Sequence, residues 1–382
     1  MKVCFLINNT VMDGSSISFI NLVKGLSKLH VECYVLHPDK IVDEKFKNSI
    51  TPYIKGLYYA DIKLYGYGKN KNNFKEKIKQ NIKRSQLYQF YRTTRENHSV
   101  DKVINQIKPD LIHTNVGVIQ VGYRLSKKHN IPHVWHLREY QTKDFNLKIE
   151  PSKPDFIKML QDSYVITITK DIASYFNLQN YDNARVIYNG CFSKYDTALI
   201  LPKKKYFLCC SRISEEKGYE EVIEAFATFY KKYPDYKLLI AGSGPKIYID
   251  KLKHIAQKCN CIDSVQFLGF QSNVKPLMDN ATSLIVASRF EGFGRMTAEA
   301  AFRGCQVIGR DTGGTKEILG MTGGILYSGG KDELEKAMEK AIIFSDNKYM
   351  MKAKYAQKVA KEKFSNEQYV SSVYSFYKDI LD

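Results

Sequence analysis

The chain has 382 residues, more than one hydrophobic core supports, because single cores stop growing near about 250–300 residues. Its 44% hydrophobic and 13% aromatic content excludes a chain that is disordered throughout, and its longest apolar runs, roughly five residues such as Val3 to Ile7, fall far short of the ~20 a membrane-spanning helix needs. The net charge of +18, from 58 Lys and Arg against 40 Asp and Glu, points to an anionic partner.

Lys2 to Ile7 reads as a strand of the buried parallel type. Polar Asn8, Asn9 and Thr10 follow at once, unlike a signal peptide, so a cytoplasmic protein is expected. A Gly/Ser loop comes next (Asp13, Gly14, Ser15, Ser16), and then a helix with Phe19, Ile20, Leu22, Val23 and Leu26 on its apolar face. Val31 to Leu36 repeats the strand pattern. Lys69 to Arg95 holds nine basic residues against one acid, Glu76, with Phe74, Ile78 and Ile82 at a spacing of four and Leu87, Phe90 and Tyr91 beyond. That pattern predicts a basic amphipathic helix facing anionic lipid or a phosphate-bearing substrate, with Lys75, Lys77, Lys79, Lys83 and Arg84 as membrane-docking candidates.

Strands are predicted at Leu111 to Thr114, Pro132 to Leu137, Val165 to Thr169 and Arg185 to Tyr188, with a helix over Val121 to His129 between the first two. A second series begins after the Lys203 to Lys205 run: Tyr206 to Cys210, Lys237 to Ala241, Val265 to Leu268, Ser283 to Ala287 and Gln306 to Ile308. Glu367 to Leu381 reads as a terminal helix with Tyr369, Val373, Phe376, Tyr377 and Ile380 as its stripe. The expected organisation is α/β: two Rossmann-like doubly wound domains over residues 1–200 and 201–365, with residues 366–382 as a final helix. Eight cysteines without a Cys-x-x-Cys pair predict reduced thiols and no metal site.

In open α/β sheets, ligands bind beyond the carboxyl ends of the strands. Four loops of the second half carry the chemistry there. Ser211 to Gly218 places Arg212 and Lys217 five apart, a fork donor and a point charge suited to a diphosphate. Gly242-Ser243-Gly244-Pro245 is a tight turn that lacks the third glycine of a dinucleotide fingerprint. Ser288 to Ala301 ends a strand, carries Glu291, lets backbone approach a ligand at Gly292 and Gly294, and opens a helix whose first amides suit a phosphate. Glu299, eight residues after Glu291, is placed to accept hydrogen bonds from ribose hydroxyls. Asp311 to Glu317 is a further Gly-rich strand-to-helix turn.

Glu291 and Glu299, with Gly292-Phe293-Gly294 between them, resemble the Glu-x7-Glu motif of retaining glycosyltransferases of family 4, of the bacterial surface-polysaccharide kind. Arg212 and Lys217, Gly242-x-Gly244-Pro245, Leu268-Gly269-Phe270 and Gly313-Gly314 follow in that family's order. Weaker marks in the first half are the Gly14-Ser15 loop, Asp110 to Asn115, Trp135-His136 and Tyr188-Asn189-Gly190. The resemblance implies the GT-B fold with the donor cleft between two Rossmann-like domains, the terminal helix returning to the first. It implies a nucleoside-diphosphate sugar, UDP- or GDP-linked, as donor. Arg212, Lys217, Glu291 and His136 take catalytic roles in that reading; Gly14, Ser15, Gly242, Gly269, Phe270, Gly292, Phe293, Gly294, Arg295 and Glu299 bind donor. Where many relatives have His-Asp or His-Thr, this chain has His136-Leu137-Arg138-Glu139, so Arg138 is assigned to a phosphate or acceptor contact; His113 is a further acceptor candidate.

The resemblance further implies retention of anomeric configuration, no cofactor and no divalent metal, in agreement with the lack of an Asp-x-Asp triplet. The acceptor is expected to be a lipid-linked glycan in capsular, exopolysaccharide or lipopolysaccharide synthesis, with the enzyme peripheral on the inner membrane leaflet. The rivals are a GT-B sugar-nucleotide epimerase, a soluble transferase using a small or storage-glycan acceptor, and, more distantly, a nucleic-acid-binding protein prompted by the charge. Nucleic acid is not the expected partner, because it leaves the Gly-rich strand-end loops unexplained.

Overall fold

A computed structural model of the chain describes residues 1–68, 86–196, 198–343 and 346–382. The expected basic helix with Lys75, Lys77, Lys79, Lys83 and Arg84 lies outside the described residues. Two compact units emerge: Met1–Gly190 together with Asn366–Asp382, and Cys191–Ser365. The boundary falls ten residues before the expected 200/201, because Cys191 donates its amide to Phe364 O and Phe192 bridges Ser365, which binds the connecting strand to the second unit.

The first unit holds strands β1 (Lys2–Leu6), β2 (Glu32–His37), β3 (Gly56–Tyr59), β4 (Tyr67–Gly68), β5 (Leu111–Thr114), β6 (His133–Leu137), β7 (Leu147–Lys148), β8 (Tyr164–Thr167) and β9 (Ala184–Val186). Seven of them form one parallel sheet in the order β3-β2-β1-β5-β6-β8-β9, while β4 and β7 pair antiparallel outside it. The interior strands are apolar on both faces because helices cover both. These helices are α1 (Gly14–Lys28), α2 (Glu44–Ile50), α3 (Gln86–Ile107), α4 (Val121–His129), α5 (Lys153–Gln161) and α6 (Lys170–Tyr175). Their starts are chemically marked: Asp13 caps α1 by accepting from the Ser16 amide, and Ser152 and Thr169 do the same for α5 and α6. At the other end of α4, Asn130 takes the left-handed conformation that stops a helix. Phe90 and Tyr91, expected on the apolar stripe of the basic helix, are exposed on α3.

The second unit holds β10 (Lys204–Cys210), β11 (Lys237–Ala241), β12 (Val265–Gly269), β13 (Ala281–Val286), β14 (Val307–Arg310) and β15 (Ile325–Tyr327), all parallel, in the order β12-β11-β10-β13-β14-β15. Its helices are α7 (Tyr219–Lys232), α8 (Lys246–Lys258), α9 (Lys275–Asn280), α10 (Arg295–Phe302), α11 (Gly313–Thr322), α12 (Lys331–Ile342) and α13 (Asp346–Phe364). The last helix, α14 (Asn366–Leu381), belongs to the first unit. It buries Tyr369, Val370, Val373, Phe376 and Tyr377 in the core built by β1, β2 and α1. Both sheets have a switch point where connections leave in opposite directions, beside β1 and β5 in one and beside β10 and β13 in the other, and ligands of such sheets sit there. No helix among the described residues is long and apolar enough to cross a membrane.

Candidate active site

The loop after β10 is pinned by backbone hydrogen bonds to its neighbours. Ser211 N–H donates to Ala241 O (3.2 Å) and Ile213 N–H to Ser243 O (2.8 Å), while Gly242 N–H donates to Gly269 O (2.8 Å). Across the switch point, Arg289 N–H donates to Glu216 O (3.1 Å), and Gly314 N–H donates to Glu291 O (2.8 Å). Five strand-end loops of the second unit are thereby knitted into one edge, which brings Arg212, Lys217, Gly242, Gly269, Glu291, Gly292 and Gly294 together. The approach is close enough to require glycine: a Cβ on Gly242 would stand 1.9 Å from Ser211 O.

The charged groups are already partnered. Lys217 Nζ donates to Glu291 Oε1 at 2.5 Å, with both side chains about four-fifths shielded, and Arg212, which is exposed, pairs with Glu216 at 2.6 Å. The two cations expected to grip a diphosphate are therefore each neutralised by a carboxylate in this state. Gly294 caps α10 at a φ of +83°, and Arg295 on the first turn meets Glu299 Oε1 at 2.7 Å. Its guanidinium thus clamps Glu299, and an Nη of it also reaches Cys191 O (3.4 Å). Burial pushes the Glu299 carboxyl up, and Arg295 pulls it back towards ionisation. The ring of Phe293 is buried edge-on against Phe364 (5.9 Å). Phe270, by contrast, is exposed after β12. The hydroxyls of Thr297 and Thr315, on the first turns of α10 and α11, are buried without a hydrogen-bond partner among the described residues, and both lie beside the position a Gly294 Cβ would take.

Gly314 holds the loop after β13 against the start of α11. A Cβ there would lie 2.1 Å from Phe293 O. Gly314→Ala is expected to cost about 1–3 kcal/mol of stability by overpacking, read as a lower urea midpoint of the second unit; an unchanged midpoint would refute this account of the contact.

In the first unit, Gly14 and Ser15 are the opening residues of α1, not a loop, because Asp13 caps the helix just before them. At the carboxyl edge of β5 and β6 a buried chain runs from the terminal helix. The Tyr377 hydroxyl meets His113 Nδ1 at 2.6 Å, and His113 Nε2 meets His136 Nδ1 at 3.2 Å. His136 Nε2 is buried and has no partner among the described residues. Burial, followed by the charge of Arg138, pushes both imidazoles well below the ordinary His range, so both are neutral. A buried Tyr hydroxyl must place its proton on an acceptor. If it donates to His113 Nδ1, His113 carries its proton on Nε2 and donates to His136, and His136 then holds its own proton on Nε2 as an unused donor.

Arg138 does not reach for a ligand. Its Nε and one Nη donate to Asn115 Oδ1 (3.1 and 3.0 Å), the other Nη to Asn189 Oδ1 (2.7 Å), and a fourth bond goes to the Tyr369 hydroxyl (2.9 Å). The acceptor contact expected of Arg138 is thus replaced by a structural one that fastens α14 to the loops after β5 and β6, and His113 likewise serves the buried chain. Glu139, given no role from sequence, is the more unusual group. Its Oε1 accepts the Gly117 amide (2.9 Å), and burial, then the charge of Asp144, pushes its carboxyl up to about 8. Beside it Gln141 is buried at a φ of +64°, its Nε2 without a partner among the described residues. A charged residue directly after an apolar strand run was the available signal.

Residues 195–359 match the family model described as glycosyl transferases group 1. The chain is 28% identical over 189 residues to the lipopolysaccharide core biosynthesis mannosyltransferase LpsB of Rhizobium meliloti (strain 1021), a match covering 47% of this chain and 53% of that protein. Two other curated relatives are likewise matched over about half their length. An uncharacterised glycosyltransferase of Methanocaldococcus jannaschii is 26% identical over 386 residues, covering 97% of this chain and 95% of that one. Among solved structures, Anabaena HepE in complex with UDP and glucose superposes with a TM-score of 0.75 at 19% identity, over 99% of this chain and 100% of that one, a likeness of fold.

Proposed function

We propose that the chain, whose residues 195–359 match the glycosyl transferases group 1 model and whose fold is like that of HepE, transfers a sugar, with retention and without a metal ion, from a nucleoside-diphosphate sugar to a glycan acceptor. The observation that carries this reading is the Lys217–Glu291 pair at the switch point of the second sheet, between loops that end on two helix N-termini. Helix starts and cations together suit a diphosphate. HepE, which shares the fold, is in complex with UDP and glucose, and the donor here is assigned the same chemical class.

The ion pairs explain how the site accepts charge. An arriving diphosphate takes Lys217 from Glu291 and Arg212 from Glu216, which frees the Glu291 carboxylate to accept hydrogen bonds from sugar hydroxyls. As the glycosidic bond breaks, negative charge accumulates on the diphosphate, where preorganised donors contribute most. Glu299, held in place by Arg295, accepts hydrogen bonds from ribose hydroxyls. In the first unit, His136 offers its Nε2 proton to a substrate oxygen. The acceptor is proposed to be lipid-linked and of the surface-polysaccharide class, as LpsB acts in lipopolysaccharide core synthesis.

A thermal-shift series with UDP, GDP and ADP and their sugars, each with and without EDTA, tests the donor assignment. A ligand at about 100 times its dissociation constant adds about 2.7 kcal/mol. One nucleotide series should raise the melting temperature regardless of EDTA, and the rise should vanish in Glu299→Ala; no shift with any of them would overturn the reading. Tyr377→Phe tests the buried chain. Without the hydroxyl, His113 is free to reverse its tautomer, and kcat is expected to fall about tenfold while donor KM stays as it was. A change in KM alone would show that Tyr377 only supports the fold.

A further inference from the structure

The sheet edge opposite the donor loops, formed by the amino-terminal ends of β10, β13 and β14, has a different surface. Five large apolar side chains lie open there: Leu199 (79% exposed), Leu201 (38%), Ile343 (75%), Met351 (75%) and Tyr355 (57%). Three of them, Leu201, Met351 and Tyr355, line two cavities that share Tyr349. Gln357 of α13 donates to Ala198 O (2.9 Å), which ties the stretch 198–201 to that helix. Both cavities open between these elements. One of about 400 Å³ is lined by Ala301, Cys305, Val307, Tyr349, Met351 and Tyr355; the other, of about 440 Å³, by Ile200, Leu201, Tyr236, Ile342, Tyr349 and Met350. Tyr349 stands between the two.

The same two stretches are strongly basic. Residues 198–205 and 348–358 contain seven lysines (203, 204, 205, 348, 352, 354 and 358) and no Asp or Glu; of these, Lys205 pairs with Asp235 and Lys203 donates to Asp279 O. Lys354 and Lys358 are exposed on α13 one turn from Met351 and Tyr355. Scattered exposed apolar residues need no explanation, but a contiguous set rimmed by cations marks an interaction surface.

We propose that this edge docks the second unit on an anionic lipid bilayer. Met351, Tyr355, Ile343 and Leu199 enter the boundary between headgroups and acyl chains, the two cavities receive chain ends, and the lysines meet lipid phosphates. Helices that lie in a membrane interface have this arrangement of apolar stripe and flanking lysines. Charge selects the occupant: a second copy of this chain would set the same lysines against one another, whereas an anionic surface attracts them, each lysine near it contributing about fivefold in binding. The surface is separate from the donor loops, and the proposal stands or falls independently of sugar transfer.

Flotation of the full chain with vesicles tests it. At low ionic strength the protein should float with equimolar phosphatidylglycerol and phosphatidylcholine and stay behind with phosphatidylcholine alone. Met351→Glu/Tyr355→Glu and Lys354→Gln/Lys358→Gln should each lower the floated fraction by about tenfold or more, with unchanged melting temperatures and unchanged nucleotide-induced shifts. Flotation undiminished in both variants would place lipid binding elsewhere on the chain and overturn the proposal. So would the absence of flotation, or a lipid-free dimer that the Glu variant abolishes, which would make the surface an interface between copies.

Discussion

Lys217→Ala should lower kcat/KM for sugar transfer by about 10²–10³-fold, the usual loss when one preorganised group stabilising a developing anion is removed. Two effects combine. In the proposed reaction the donor diphosphate loses a cation at the point where its charge grows, and Glu291, with only a fifth of its side chain exposed, keeps a largely buried charge without its counter-ion. Lys217→Arg retains the charge but is not equivalent, since a planar fork replaces a compact ammonium in a contact of 2.5 Å. Steady-state kinetics on both variants, with melting temperatures to confirm folding, checks the assignment. An alanine variant as active as the native chain would remove Lys217 from the reaction. Arg212→Ala should cost less in stability, because its pairing with Glu216 is exposed and such pairs contribute little.

Glu139→Gln should flatten the pH dependence of stability in the first unit. The Glu139 carboxyl, raised by burial and then by the Asp144 charge to about 8, holds its proton more tightly in the folded chain than in the unfolded one, where it titrates near the ordinary glutamate value. Its contribution is therefore complete below about pH 4.5 and is lost as the pH rises through about 8. At 1.36 kcal/mol per pH unit the loss is on the order of 3–5 kcal/mol. Glutamine keeps an oxygen for the Gly117 amide and carries no charge to desolvate. Unfolding by urea at acid, neutral and alkaline pH should show the native chain weakening and the variant level across that window; parallel profiles would show that Glu139 does not titrate there.

The alternation of strands and helices was legible because interior parallel strands are short apolar runs, as in Lys2 to Ile7 or Lys237 to Ala241. β3 and β15 escaped the reading because they are sheet edges: Gly56–Tyr59 is only half-buried, and Ile325–Tyr327 is three residues long. Among site residues, the loops of the second half were visible from their glycines. The counter-ions were partly visible too, since Arg212 and Glu216, like Arg295 and Glu299, stand four apart. Lys217 and Glu291 are 74 apart in sequence, and only the hydrogen bond between the loops that carry them, from Arg289 N–H to Glu216 O, explains their meeting. Arg138 misled because its four hydrogen bonds go to three residues, Asn115, Asn189 and Tyr369, up to 231 positions away.

The membership of α14 in the first unit sets an order of assembly during synthesis. Residues 1–190 leave the ribosome first, yet their Arg138 waits for the hydroxyl of Tyr369 and their His113 for that of Tyr377. Residues 191–365 are made second but are contiguous, so they have every contact of their own unit before residues 366–381 appear. The earlier-made unit is therefore the later one to close, and until it does the groove for α14 exposes Val23, Leu26 and neighbouring apolar side chains to the chaperones that bind such surfaces during translation.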